Sequence, residues 1–201
     1  RIPSVLREIG RLRELTFRDA GEGTGRAADL DEYDSRYRHL FLWNAERREI
    51  AGSYRLGSTQ EILPARGVAG LYTSTLFKLD MRLFERLGPA IELGRSFVRK
   101  GYQRQYAPLA LLWKAICAHV AAQPQHAVLF GAVSISKDYA PASRDLMVAF
   151  LRTLRDEPLA RYVQARRPYR HFPPYRWHER QGRRFLTDIE RLSGAVSALE
   201  A

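Results

Sequence analysis

Two short stretches place charged residues where chemistry could use them. Asp31-Glu32-Tyr33-Asp34 sets two carboxylates three apart in an irregular polar segment, a spacing that can bind an ammonium group or cap a helix. Glu92 and Arg95 are also three apart, but within a run, Ala90 to Val98, that reads as a strand. Side chains three apart on a strand point to opposite faces, so these two meet only if a bulge, for instance at Gly94, re-aims one of them. That local conflict is itself a hint of function. Arg55, beside Tyr54 near a strand end, reads by itself as a solvated edge residue. His39, His119, His126, His171 and His178 form no recognisable ligand set, and no Cys/His cluster has zinc spacing, so no metal is expected. Ser134 and Ser136 follow a buried strand without a nucleophile motif, which suits pocket lining or backbone hydrogen bonding.

These residues need elements to position them. Ile2, Val5, Leu6, Ile9, Leu12 and Leu15 recur at helical spacing, predicting a helix from about Ser4 to Arg18 with Ser4 as its N-cap. Gly21-Glu22-Gly23-Thr24-Gly25 breaks the pattern and opens the irregular segment that runs to Asp34. Arg38 to Trp43 and Ile50 to Leu56 read as a hairpin around Asn44 to Glu49. A less regular stretch follows, with a strand near Gly70 to Phe77, a short helix from Asp80 to Leu87 stopped by Gly88-Pro89, and the strand Ala90 to Val98. A helix is expected from Pro108 to Ala121, with Cys117 on its apolar stripe as core filler, then a buried strand from Val128 to Val133 and a helix from Ala140 to Arg155. Strand, helix, strand, helix is a right-handed crossover unit. Beyond it, eight arginines between Arg161 and Arg184 face the single acid Glu179, and Pro168, Pro173 and Pro174 forbid a continuous helix. This segment reads as an arm, mixed with Tyr162, Tyr169, Phe172, Tyr175 and Trp177, that binds anionic lipid headgroups at a membrane surface, stacks on single-stranded nucleic acid or wraps over its own domain. Phe185, Ile189, Leu192, Val196 and Leu199 then suit one more docking helix.

A chain of 201 residues suits one domain with a short appendage. With 45% hydrophobic, 11% aromatic and 27% charged residues it is globular rather than fibrous or disordered. The apolar runs around Ala107–Trp113 and Ala115–Ala122 are interrupted well before the roughly 20 residues a membrane-spanning helix needs. One cysteine makes no internal disulfide, and a reducing, cytoplasmic setting is the default. The opening at Arg1, in what looks like the interior of a domain, suggests a piece of a longer polypeptide. A net charge of +11 predicts an anionic partner without choosing among acidic protein, phosphate-bearing ligand, membrane and nucleic acid; charge alone is the only support for the last.

Arg13 and Phe17, Asp31 and Asp34, Arg55, and Glu92-Leu93-Gly94-Arg95-Ser96 occur in an order and approximate spacing that resembles the GNAT-superfamily N-acyltransferases acting on long-chain acyl groups. These are the ornithine-lipid and glycine-lipid N-acyltransferases, a group that also carries the label hemolysin; the acyl-homoserine-lactone synthases share the pattern. The segments 2–13, Gly21-Glu22-Gly23-Thr24 and Gly131-Ala132-Val133-Ser134-Ile135-Ser136 look especially like the variety joined to a phospholipid-type O-acyltransferase domain. The resemblance covers about Ile2 to Arg155. It implies an α/β (α+β) fold: a mixed, mostly antiparallel central sheet flanked by helices, with a splayed central strand. Residues 1–155 would form this domain, and 156–201 the basic arm and C-terminal helix.

The activity so implied is transfer of a fatty or 3-hydroxyfatty acyl group from a thioester to the amine of an amino acid such as ornithine or glycine, giving a lyso-aminolipid. By the resemblance, Glu92 receives the amine's proton, directly or through water, and Arg95 orients the site or the substrate carboxylate. Backbone N–H groups around Phe97 and Val98 contact the oxyanion. Asp31 and Asp34 hold the amine end, Arg55 links them or holds the carboxylate, and Arg13, Phe17 and Ser96 complete the substrate site. The rival reading of the charged cluster is a salt-bridge network that stiffens the N-terminal loop. Where acetyl-CoA-dependent relatives have a glycine-rich pyrophosphate loop, this chain has Gln103-Arg104-Gln105-Tyr106-Ala107-Pro108; Tyr has a Cβ and Pro lacks an N–H donor, so the cradle is degraded. An acyl carrier protein, which presents its thioester on phosphopantetheine without adenosine pyrophosphate, suits this loop better than coenzyme A. Arg99, Lys100, Gln103 and Arg104 would meet the carrier and its arm. No tightly bound cofactor is expected. Gly23-Thr24-Gly25 stands where the lactone synthases have a Trp, so S-adenosylmethionine binding is not carried over. Alternatives are an acetyl-CoA-dependent acetyltransferase and a non-catalytic lipid- or partner-binding domain. The setting would be cytoplasmic, at most peripheral on the inner membrane face, with a fused or partner O-acyltransferase.

Overall fold

Apolar alternation and a polar turn make the hairpin at the front of the sheet: β1 (Arg38–Asn44) pairs antiparallel with β2 (Glu49–Ser58), and the Asn44 side chain accepts the Arg47 N–H (3.0 Å) in the turn. The computed structural model describes residues 2–104, 106–126, 128–154, 157–170 and 188–200. A short strand, β3 (Phe77–Leu79), lies outside the main sheet. β2 pairs antiparallel with β4 (Ala90–Val98), and β4 pairs in parallel with β5 (Val128–Phe130), giving the order β1-β2-β4-β5. The sheet is therefore mixed and mostly antiparallel, as expected. α1 (Pro3–Asp19) packs against β4, and α4 (Tyr106–Ala121) links the two parallel strands and packs on β1 and β2. The two helices take opposite faces, because Gly52 presents to Leu112 of α4 while Arg55, three residues on, turns toward α1.

Two cores follow. Ile9 and Leu12 of α1 pack with Ile50 and Phe97 of the sheet. A second cluster joins Tyr33, Tyr37, Ile62, Leu71, Leu83, Phe84 and Tyr162, drawing on α2 (Thr59–Arg66) and α3 (Met81–Leu87).

Several elements depart from the sequence expectation for identifiable reasons. Pro3 starts α1 in its first turn, where a missing N–H costs nothing, so the cap position is Ile2 and Ser4 lies inside the helix. The strand expected near Gly70–Phe77 is replaced by 3-10 turns at Gly67–Gly70 and Tyr72–Thr75, because the N–H groups of Tyr72 and Thr73 go to a carboxylate rather than to a neighbouring strand. α2 was hidden by Pro64 in its interior. α4 is apolar nearly all round but buries only Pro108, Leu112 and Ile116; Cys117, expected in the core, is exposed. β5 stops at Phe130, three residues short of the predicted strand.

The C-terminal segment is not wholly an arm. After α5 (Pro141–Thr153) and α6 (Glu157–Ala160), Tyr162 enters the second core under the guanidinium groups of Arg82 and Arg86, and β6 (Val163–Ala165) pairs antiparallel with β3. A last helix, α7 (Ile189–Glu200), lies against α5 with Leu192, Val196 and Leu199 half-buried, and Glu200 accepts the Ala140 N–H (2.8 Å). The remainder of the expected arm, with His171, Phe172, Tyr175, Trp177, His178 and Phe185, lies outside the described residues. Among the described residues no helix is long and apolar enough to cross a membrane.

Candidate active site

The bulge that the Glu92–Arg95 spacing demands is present, one residue later than Gly94. Ser53 faces Phe97 and Arg55 faces Gly94, so Tyr54 stands opposite both Arg95 and Ser96. Arg95 takes up the extra length in a left-handed conformation, φ +46°, which a side chain bearing a Cβ adopts at a cost of about 1–3 kcal/mol. Its guanidinium is thereby swung over the rings of Phe17 (5.7 Å) and Tyr72 (5.0 Å) and to within 3.2 Å of Asp29 Oδ2. Asp31 Oδ2 lies 3.9 Å away.

Behind Arg95 is a buried network of opposite charges. Arg13 donates to both carboxylate oxygens of Asp34 (3.1 and 2.8 Å) and to the Asp29 backbone carbonyl, and its Nε lies 3.0 Å from Asp29 Oδ2. Arg55 donates to Asp31 (2.7 Å) and Asp34 (3.1 Å) and is boxed by the rings of Tyr33, Tyr37 and Tyr72 at 5.8, 5.2 and 4.9 Å. Asp31 also caps the turn Glu32–Ser35, with Asp34 accepting the Asp31 N–H in return. Burial pushes the Asp34 carboxyl up, but the hydrogen bonds and charge of Arg13, helped by the Asp31 N–H and Arg55, outweigh it and leave it below the usual carboxylate range. Arg13, Asp34 and Arg55 are almost wholly buried and engaged with one another, an arrangement that braces the loop that carries Asp29 and Asp31.

Glu92 also sits differently from its expected place. Only 1% exposed, it accepts the N–H groups of Tyr72 (3.1 Å) and Thr73 (2.6 Å) and the hydroxyl of Tyr37. Burial, and then the Glu92 charge and hydrogen bond, push the Tyr37 phenol upward, which keeps it a donor. So enclosed, Glu92 turns its carboxylate to the Tyr72 turn rather than to solvent. It fixes the Tyr72 turn, and the Tyr72 ring in turn supports both Arg55 and Arg95.

A cleft opens along the edge of β4 that faces away from β2. β4 and β5 pair only from Ala90 to Glu92 and from Val128 to Phe130, and then part. Gly131 stands at the fork, where an added Cβ would come within 2.2 Å of the Leu93 carbonyl oxygen. Beyond it is a cleft of about 430 Å³ lined by Phe17, Glu22, Tyr72, Leu76, residues 93–96 and residues 132–134. The cleft gathers Phe17, Arg95 and Ser96 of the expected site, and Ser134 lines it as anticipated. Phe97 does not take part: Arg99 donates its N–H to Ala51 (2.9 Å), so by ladder alternation Phe97 also faces β2, and its ring is core. Val98 alternates to the opening side, where its carbonyl accepts the Gln103 side chain (2.8 Å).

The residues expected to meet the thioester donor lie beyond the end of β4. Arg99 is tied to Glu49 (2.5 Å), and Lys100 lies 3.4 Å from Asp19 with its ammonium largely in solvent. Arg104 is exposed, and Tyr106 protrudes at the start of α4. Gln105 lies outside the described residues.

Sequence reasoning missed Asp29, the carboxylate that bridges Arg13 and Arg95, because a lone Asp in a polar loop carries no spacing signal. It also passed over Tyr37 and Tyr72, which would have needed the three-dimensional neighbours of Glu92, and Glu14. Glu14 has a detectable signal, an acid in a helix just before a Gly-Thr-Gly turn; its carboxylate accepts the N–H groups of Thr24 and Gly25 (both 2.9 Å) and the Thr24 hydroxyl (2.7 Å).

Residues 41% identical over 161 positions relate the chain to a glycine N(alpha)-acyltransferase of Bacteroides thetaiotaomicron, covering 75% of this chain and 48% of that protein. A glycine N(alpha)-acyltransferase of Phocaeicola vulgatus is 39% identical over 160 residues, covering 74% of this chain and 49% of that one. The chain thus spans about half the length of the curated relatives it matches. No solved structure gives a significant match. Residues 12–114, which run from α1 through the fork of β4 and into α4, match the acetyltransferase (GNAT) domain model, and the splayed mixed sheet agrees with it: the chain belongs to the GNAT acetyltransferase family.

Proposed function

We propose that this chain is the N-acyltransferase unit of a longer protein, moving a long-chain acyl or 3-hydroxyacyl group from an acyl-carrier-protein thioester to the α-amine of an amino acid such as glycine or ornithine. The observation that carries this reading is the cleft at the β4–β5 fork, into which a strained bulge turns Arg95 while an inner network holds its other side. The names of the two relatives support an amino-acid acceptor.

An amine attacks a thioester carbonyl only as the neutral base, and the tetrahedral intermediate puts negative charge on the former carbonyl oxygen. Arg95, 21% exposed, is placed to receive the acceptor's carboxylate. Backbone N–H groups on the open side of β4, that of Val98 included, serve the oxyanion. Glu92 acts as a positioning residue through Tyr72, and the amine's proton leaves through water at the cleft mouth. Lys100 and Arg104, exposed at the end of β4, suit the acidic surface of a carrier protein, and the net charge of +11 favours such an encounter. The longer protein's product would be a lyso-aminolipid, handled at a membrane by a fused or partner O-acyltransferase.

The test is mass-resolved acyl transfer from 3-hydroxypalmitoyl carrier protein, palmitoyl-CoA and acetyl-CoA, each offered glycine, ornithine, serine and lysine. A long-chain amide formed preferentially from the carrier is the expected result. Acetylation alone would replace the reading with ordinary acetyl transfer, and no amide from any pair would reject it.

A further inference from the structure

Of the acids around β4, Asp29, Asp31, Asp34 and Glu92 are all taken up by arginines or by backbone and phenol donors. Glu22 is different. It is the acidic residue among those lining the cleft, it is exposed, and its carboxylate has no hydrogen-bond or ion partner among the described residues.

Its position is nonetheless fixed. Gly21, at φ +70°, makes the turn out of α1 under the side chain of Lys137, whose Cε would lie 3.0 Å from a Cβ there. The Glu22 N–H donates to the Phe17 carbonyl (2.7 Å), so the loop is fastened to the residue that forms the cleft wall beneath Arg95. Gly23 follows against the Arg18 backbone, where a Cβ would come within 2.9 Å of the Arg18 Cα, and Glu14 clamps Thr24 and Gly25 from below. A loop restrained at both ends therefore presents one free carboxylate to a cleft whose other charged lining residue is Arg95.

We infer that Glu22 is the ammonium subsite of the acceptor, so that the cleft selects a free amino-acid zwitterion, its carboxylate on Arg95 and its amine on Glu22. The inference rests on the N-acyltransferase reading and sharpens its substrate class: an alkylamine or an amino-acid amide satisfies only one of the two charges. The bound ammonium gives one proton to water at the open mouth and the nitrogen lone pair attacks the thioester carbonyl. The N–C bond forms, the C–S bond breaks, and a second proton from nitrogen goes to the leaving thiolate. The net products are an amide, a thiol and one proton.

The experiment compares the full chain with Glu22→Gln, using the same acyl donor throughout and glycine, glycinamide and ethylamine as acceptors. Glu22→Gln is expected to raise the KM for glycine about tenfold, the scale of one charge-assisted hydrogen bond, with kcat changed by less than about threefold. Wild type should prefer glycine to glycinamide and to ethylamine, and the thermal midpoint of the variant should match wild type, since the Glu22 side chain is exposed and makes no hydrogen bond or ion pair among the described residues. A glycine KM unchanged in Glu22→Gln, with wild type active, would overturn the Glu22 assignment and leave the N-acyltransferase reading standing. No amide from wild type with any acceptor would overturn both.

Discussion

Arg55 and Arg95 rest on the same Tyr72 ring, at 4.9 and 5.0 Å, yet they belong to different kinds of site. Arg55 extends from β2, the strand without the extra residue, with ordinary backbone dihedrals, is 1% exposed, and hydrogen-bonds Asp31 and Asp34 at 2.7 and 3.1 Å. Arg95 reaches the same neighbourhood only through a left-handed bulge, and its side chain stays 21% exposed on the cleft. Regular backbone with matched charges makes a brace, whereas strained backbone with an unfilled face holds a charge ready for something the chain does not itself supply. The inner network therefore reads as structure and the fork of the sheet as chemistry.

Arg13→Leu leaves Asp29 and Asp34 buried without their main partner and should lower stability by about 3–5 kcal/mol in urea denaturation. A loss below about 1 kcal/mol would mean that the network is not a brace. Arg95→Gly should behave in the opposite sense: glycine removes the left-handed strain of about 1–3 kcal/mol and so offsets the lost Asp29 pair, leaving the urea midpoint within about 1 kcal/mol of wild type while transfer to amino acids collapses.

A smaller effect sharpens the contrast between the brace and the loop that carries Glu22. The Thr24 hydroxyl, Arg18, and the N–H groups of Thr24 and Gly25 hold the Glu14 carboxyl at about 2. In the unfolded chain an ordinary Glu binds its proton near 4.3, so on acidification the unfolded state takes up the proton first. The Glu14 contribution is thus complete above about pH 5 and is lost as pH falls toward 2. Glu14→Gln should flatten that part of the stability profile measured between pH 5 and pH 2; parallel profiles for the two proteins would show that Glu14 does not clamp the loop.

Much of the fold was legible because its signals are local. Hairpin alternation, the strand Ala90–Val98 and the crossover through α4 all appeared with small boundary shifts. The conflict between Glu92 and Arg95 on one strand was legible too, and the structure resolves it by a bulge. What the sequence hid depends on long-range partners. Tyr72 and Thr73 look like strand residues until the Glu92 carboxylate takes their N–H groups, and Asp29 has no motif until Arg13 and Arg95 close on it. Cys117 was misplaced for a different reason: α4 is apolar nearly all round, so periodicity could not tell its buried face from its exposed one. The division between substrate-binding and bracing charges was equally invisible, since both are Arg and Asp at similar spacing and only burial separates them.

If acyl transfer occurs in the cleft at the β4–β5 fork, filling that cleft should stop it. Ser96 is exposed on the cleft wall, so Ser96→Phe should leave stability within about 0.5 kcal/mol of wild type. With the space for reacting groups occupied, long-chain acyl transfer to glycine should fall by about a hundredfold or more, measured under the same conditions as wild type. A folded Ser96→Phe protein with wild-type transfer would place the reaction elsewhere on the molecule.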